Sequence, residues 1–260
     1  MHPEKRNFLS GCKNWDLKDF LNYKNRIMKA LLLRVGIDKG YGGLSPVFPD
    51  MTYEYIPIYQ RNRKETEKNE KRTYSMIRGS NKKFLNEYLP LRLRNKVLHL
   101  DPEFKTFTYG DPTRTKRAAL NKLEKNDLLI FYLGGKKQDS FEVGCFIFGY
   151  FVVDKVIDWD VTPEDKKKGI EMEFKNNAHM ISSKSRNKLV MIMGKKGSKQ
   201  LKKCIQISQS NTPINNPPYI TIPEFQTKYD IRKNIVRAVP MYITDETKIG
   251  LLKELLLKNC

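Results

Sequence analysis

Asp127-Leu-Leu-Ile-Phe-Tyr-Leu-Gly-Gly135 and Phe141-Glu-Val-Gly-Cys-Phe-Ile-Phe-Gly-Tyr-Phe-Val-Val-Asp-Lys-Val156 decide the fold of this chain. Both are near-continuous apolar runs rich in β-branched and aromatic residues, separated by a polar turn, and they read as two long buried strands. Upstream, Met28-Lys-Ala-Leu-Leu-Leu-Arg-Val-Gly-Ile37 is a third run of the same kind. It ends in Asp38-Lys-Gly-Tyr-Gly-Gly43, where three glycines permit backbone shapes that other residues resist. Tyr53–Tyr59 alternates and carries Pro57, which places a strand at a sheet edge. Downstream, Lys188–Gly194 reads as a strand and Ser198–Lys203 as the start of a helix.

Helices are expected at Asn81–Tyr88, from about Thr115 to Leu123, after Thr162-Pro163, and over the Leu-rich Thr244–Lys258. The expected fold is therefore α+β: a mixed, strongly bent sheet or a partly closed β-barrel with helices around it. It spans one domain, residues 28–260. Residues 1–27 form an N-terminal extension with a short helix around Trp15, Phe20 and Tyr23.

The 260 residues carry 49 Lys+Arg against 29 Asp+Glu, a net charge of +20. That surplus is the electrostatic footprint of a polyanion binder, because cations that neutralise phosphates release condensed counterions. The charge is unevenly placed: residues 174–223 hold nine Lys/Arg and no acid, and residues 71–96 hold one acid, Glu87. DNA or RNA is the expected partner, with oligomeric state left open. No run of 18 apolar residues exists, so no membrane helix is expected, and the polar N-terminus lacks a secretory signal. The expected location is the cytoplasm. Cys12, Cys145, Cys204 and Cys260 form no CxxC pair and read as thiols in a reducing compartment. With three histidines in the chain, no metal site is expected, and no nucleotide, haem or zinc signature identifies a cofactor.

His99-Leu-Asp-Pro-Glu-Phe-Lys-Thr-Phe-Thr-Tyr-Gly-Asp-Pro-Thr-Arg114, followed by Lys116, gathers an imidazole, carboxylates, a phenol and cations within eighteen residues. Such a set supplies acid–base chemistry when its environment perturbs it. The plainer reading makes Asp101 and Asp111 the caps of two Asp-Pro corners. Asp111, His99, His179 and Tyr109 are the expected catalytic residues, and Tyr109 or Tyr132 would stack on a flipped base. Arg114, Lys116, Lys184, Arg186, Lys195 and Lys196 are expected on the nucleic-acid backbone. The Asp38–Gly43 turn matches neither GxGxxG nor a P-loop, so triphosphate hydrolysis finds no support.

The Met28–Gly43 run, Tyr53-Glu-Tyr-Ile-Pro-Ile, the His99–Gly135 block, Gly149-Tyr-Phe-Val-Val-Asp-Lys-Val, Asn177-Ala-His-Met and the Gly194–Ser198 segment together resemble the third nucleotide-modification-associated domain family. The resemblance runs from about residue 28 to about 240 and is most specific in His99–Gly135. It implies a role near modified DNA or RNA. The positions it nominates are Arg34, Asp38, Gly43, His99, Asp101, Tyr109, Gly110, Asp111, Asn177 and His179. Of these, Arg34, Asp38, Gly43 and Asn177 are expected to bind nucleic acid. After Phe48 the family's Asp-Gly-Ser turn is replaced by Pro49-Asp-Met-Thr, so no role passes to Asp50. The pair Lys125–Tyr132 and Phe148–Val156 also looks like the strands of PUA, ASCH and EVE base-reading barrels, a fold-level analogy. The expected function is processing of a modified base in DNA or RNA by an enzyme of undetermined reaction, glycosylase-like or nuclease-like. The alternatives are a non-catalytic reader of a modified base and an enzyme acting on small nucleotide precursors.

Overall fold

The computed structural model describes residues 27–60, 70–181, 186–210, 219–235 and 239–260. The helix expected around Trp15 lies outside them. In chain order the elements begin with β1 (Ala30–Arg34), β2 (Ser45–Val47), β3 (Ile58–Tyr59), β4 (Leu98–His99) and β5 (Thr108–Asp111). Then come α1 (Arg114–Leu120), β6 (Leu128–Lys137), β7 (Val143–Asp158), α2 (Glu164–Glu173), α3 (Ala178–Ile181), β8 (Val190–Gly194) and β9 (Lys199–Gln206). Last are β10 (Ser208–Gln209), β11 (Tyr219–Thr221), α4 (Pro223–Tyr229), β12 (Asn234–Ile235), β13 (Met241–Ile243) and α5 (Glu246–Lys258).

The fold is α+β, built on a mixed eight-stranded sheet that is open rather than closed into a barrel. Its spine is the antiparallel pair β6–β7. Along the outer edge of β6 lie β1 and then β2, both parallel to it, with β13 beyond β1. Along the outer edge of β7 lie β9 and β8, both antiparallel to it, with β5 beyond β8. The sixteen-residue β7 changes partner near its bulge at Val153–Lys155, where β8 takes over.

The apolar runs are continuous because both faces of this spine are covered. Leu128, Ile130 and Tyr132 face one core with Phe225 and Tyr229 of α4 and Ile249, Leu252 and Leu256 of α5. Leu129, Phe131 and Leu133 face the other core, with Leu120 of α1 and Tyr109 of β5. Asp245 caps α5 by accepting from Lys248 N at 2.9 Å, and the i, i+3, i+7 spacing of its buried residues fixes the contact face.

Three expectations are corrected. Ser198–Lys203 is not a helix start but the head of β9: the pattern Lys-Gln-Leu-Lys-Lys-Cys-Ile buries Leu201, Cys204 and Ile205 against β7 and leaves the basic side chains outside. Tyr53–Pro57 is buried yet mostly unpaired, so the predicted strand shrinks to Ile58–Tyr59. The helix expected over Asn81–Tyr88 shrinks to one 3-10 turn, Leu85–Tyr88.

Candidate functional site

The edge of the sheet formed by β5 organises the polar groups. Alternation along β5 sends Tyr109 and Asp111 to one face, and Thr108 and Gly110 to the other. Tyr109 enters the apolar core against Phe131, with centroids 5.2 Å apart, and its hydroxyl donates to Asp111 Oδ2 at 3.0 Å. Lys116, in the first turn of α1, places Nζ 3.0 Å from the same carboxylate oxygen and 3.3 Å from the Tyr109 hydroxyl. The other oxygen of Asp111 accepts from Thr113 N at 2.8 Å and from the Thr113 hydroxyl. All four acceptor positions of Asp111 are therefore filled. Burial alone would raise its carboxyl, but Lys116 and Thr113 outweigh that and hold it below the usual carboxylate value. The Asp-Pro corner reading is correct as far as the Thr113 turn, and the ion pair goes beyond it.

A second group faces it. Asp101, joined to Pro102 by a cis peptide, accepts from Gly110 N (3.1 Å to Oδ2) and from Asn177 Nδ2 (3.0 Å to Oδ1). Asn177 also accepts from His179 N at 2.9 Å, so one buried amide ties the carboxylate to the first turn of α3. His179 Nε2 lies 3.4 Å from Asp101 Oδ2. Its ring meets His99 edge to face, centroids 4.5 Å apart, and His99 Nδ1 is 2.7 Å from the Gln60 carboxamide nitrogen. Gly110 makes this approach possible: a Cβ there would stand 3.0 Å from His179 Cδ2. Burial pushes the Asp101 carboxyl above its usual value, against the pull of His179 and Gly110 N. Burial and the neighbouring His179 hold His99 well below the ordinary histidine value, although part of its surface stays accessible. His99, Asp101 and His179 each offer one ligand atom, all within 4.8 Å of one another.

The fold thus unites His99, Asp101, Tyr109, Asp111, Lys116 and His179, with Arg114 exposed at the start of α1. Other expected residues lie elsewhere or are spent. Asn177 is fully buried and holds Asp101 and His179, so it is not a nucleic-acid contact. Neither Tyr109 nor Tyr132 offers a ring face to a base, because both are buried in the two cores. Arg34 is buried on the opposite face of the sheet, its guanidinium 5.0 Å from the Tyr219 ring centroid, and so is withdrawn from a phosphate backbone. Asp38 caps its own turn through Tyr41 N, and Gly42, not Gly43, takes the left-handed conformation, with φ of 90°. A cleft of about 780 Å³ adjoins this turn, lined by Lys39, Gly42, Gly43, Pro46, Glu87 and Lys136, and none of the His99–His179 group lines it.

Arg186 pairs with Glu171 and lies on Trp159. Lys195 and Lys196 occupy the loop between β8 and β9, Lys196 exposed, and Lys184 lies outside the described residues. Gln60 and Thr113 escaped the sequence reading. Thr113 was accessible as the i+2 partner of an Asx turn, whereas nothing local marks Gln60. Cys145, Cys204 and Cys260 are free thiols, as expected. Among the described residues no helix is long and apolar enough to cross a membrane.

The family model of nucleotide modification associated domain 3 matches residues 29–240, and the chain belongs to that family. No curated protein and no solved structure matches it.

Proposed function

We propose that this member of the nucleotide modification associated domain 3 family is a cytoplasmic enzyme that grips DNA or RNA and processes a modified base at the His99–Asp101–His179 cluster. One observation carries the reading. Two buried carboxylates share a site and their environments drive them apart: Asp111 is held ionised and saturated, whereas burial raises Asp101 beside an imidazole. Asp111 has no free acceptor, so it acts as a positioning residue that aims Lys116 and the Tyr109 hydroxyl. Exposed Arg114, with Lys116 beside it, would meet phosphates, and the surplus of +20 supports a polyanionic substrate. Asp101, His99 and His179 form the reactive pole. The free thiols of Cys145 and Cys204 support a reducing compartment.

The test is nucleoside mass spectrometry of DNA and RNA, bearing modified and ordinary bases, after incubation with the protein, alongside binding by fluorescence anisotropy. The expected result is an altered or released base with the unaltered chain. Asp101→Asn should lose that product while its affinity stays within about threefold. Binding without any altered base, with Asp101→Asn only loosening it, would make the protein a reader. Conversion of free nucleotides alone would make it a precursor enzyme.

A further inference from the structure

We propose that His99, Asp101 and His179 bind one divalent transition-metal ion of the zinc or ferrous class. The inference names the occupant of the reactive pole and rests on the proposed function for its place in chemistry; the binding itself is read without substrate. The three residues come from β4, the turn after it and α3, and their ligand atoms lie within 4.8 Å of one another. His179 Nε2 and Asp101 Oδ2, 3.4 Å apart, already stand at the spacing of two ligands bonded at roughly 2.0–2.2 Å to one tetrahedral ion. Two imidazoles and one carboxylate are the donor set of open catalytic zinc sites and of non-haem iron triads. Hard ions such as magnesium prefer oxygen donors, whereas two of the three donors here are imidazole nitrogens.

The outer contacts are those a metal site needs. Asp101 is fixed by Gly110 N and Asn177 Nδ2, and Asn177 also anchors the backbone of His179. Gln60 meets His99 Nδ1, and a half-turn of its carboxamide presents the oxygen, which accepts from Nδ1–H and leaves Nε2 to the ion. Charge favours occupation as well. The side chain of Asp101 is 3% exposed, and its one ion-pair neighbour among the described residues is His179. One cation held by the two adjoining imidazoles compensates Asp101 and uses a lone pair of each ring. Three protein ligands leave positions open for water or substrate.

The close pair His99 and Asp101 did not read as a metal site because its third member, His179, lies far along the chain and reaches them only through the fold.

The experiment is metal analysis of the full chain after chelation and dialysis, followed by titration with Zn²⁺ and Co²⁺ and pulsed EPR of the Cu²⁺-loaded form. One ion per chain is expected, with two imidazoles on copper. Affinity should drop at least about a hundredfold in His179→Gln, and about ten- to hundredfold in Gln60→Leu. Should His179→Gln fail to fold, the imidazole count on the unaltered chain and the Gln60→Leu titration decide. Absence of stoichiometric binding, or binding unmoved by these substitutions, overturns the proposal. An ion bound without any base chemistry would overturn the proposed function alone. Full base chemistry after chelation would overturn the metal alone.

Discussion

Gly110→Ala tests how tightly the site is built. The added methyl would stand 3.0 Å from His179 Cδ2, 3.2 Å from Leu189 Cδ1 and 3.5 Å from Met191 Cγ. Carbon atoms prefer roughly 3.5–4.0 Å, so His179 must retreat by about 0.5–1 Å. Leu189 can yield through its rotamers. His179 cannot yield freely, because Asn177 holds its backbone and Ala178 and Met180 are buried on either side. The retreat draws Nε2 away from Asp101, which it now faces at 3.4 Å. Overpacking of this kind costs about 1–3 kcal/mol. The lost freedom of the unfolded chain returns about 0.4–1 kcal/mol, because Gly110 lies in ordinary extended backbone. The net expectation is a loss of about 1–2 kcal/mol in urea unfolding, well short of unfolding the domain. Zn²⁺ affinity should fall about tenfold or more, and base processing by about a hundredfold, since an ångström of misplacement suffices. Gly110→Ala with unchanged stability and unchanged zinc affinity would refute the argument that His179 is pinned against this strand.

Other expectations are independent of that geometry. Asp111→Asn should destabilise by about 1–3 kcal/mol, because the amide confronts the Lys116 ammonium and the Tyr109 hydroxyl with a donor. Lys116→Met should recover part of that loss, and a double-mutant cycle in urea showing no coupling would count against the pair. Burial and nearby Lys195 push Lys253 down to about 8. The native chain therefore holds fewer protons than the unfolded one between that value and the ordinary 10.5, and stability gains about 1–2 kcal/mol across that window after allowing for solvent contact. The gain should be absent in Lys253→Met. Nucleic-acid affinity should fall steeply with salt, and Arg114→Ala and Lys196→Ala should each lower the log–log slope by about one. A slope near zero would remove polyanion binding.

The spine of the fold was legible because Leu128–Leu133 and Phe146–Val153 are buried on both faces and leave no polar alternation to confuse the period. Strand β9 was not, because an edge strand with basic outward residues looks locally like a charged helix face. At the site, the His99–Lys116 block held most of the side chains that the fold brings together, since close spacing made proximity a fair inference. Its partners were less accessible. Asn177 reads as a solvent-facing polar residue until its 76-residue contact with Asp101 is known, and Gln60 carries no local mark at all. The aromatic residues misled in the opposite direction: Tyr109 and Tyr132 are spent on the cores, and the Tyr109 hydroxyl alone reaches the site.

The most direct measurement is a structure of the Asp101→Asn protein bound to an oligonucleotide carrying a modified base. The account predicts that base within hydrogen-bond reach of His99, residue 101 and His179, with a phosphate against Lys116 or Arg114. A base seated by the Asp38–Gly43 turn, or nucleic acid that touches only the β8–β9 loop, would contradict it.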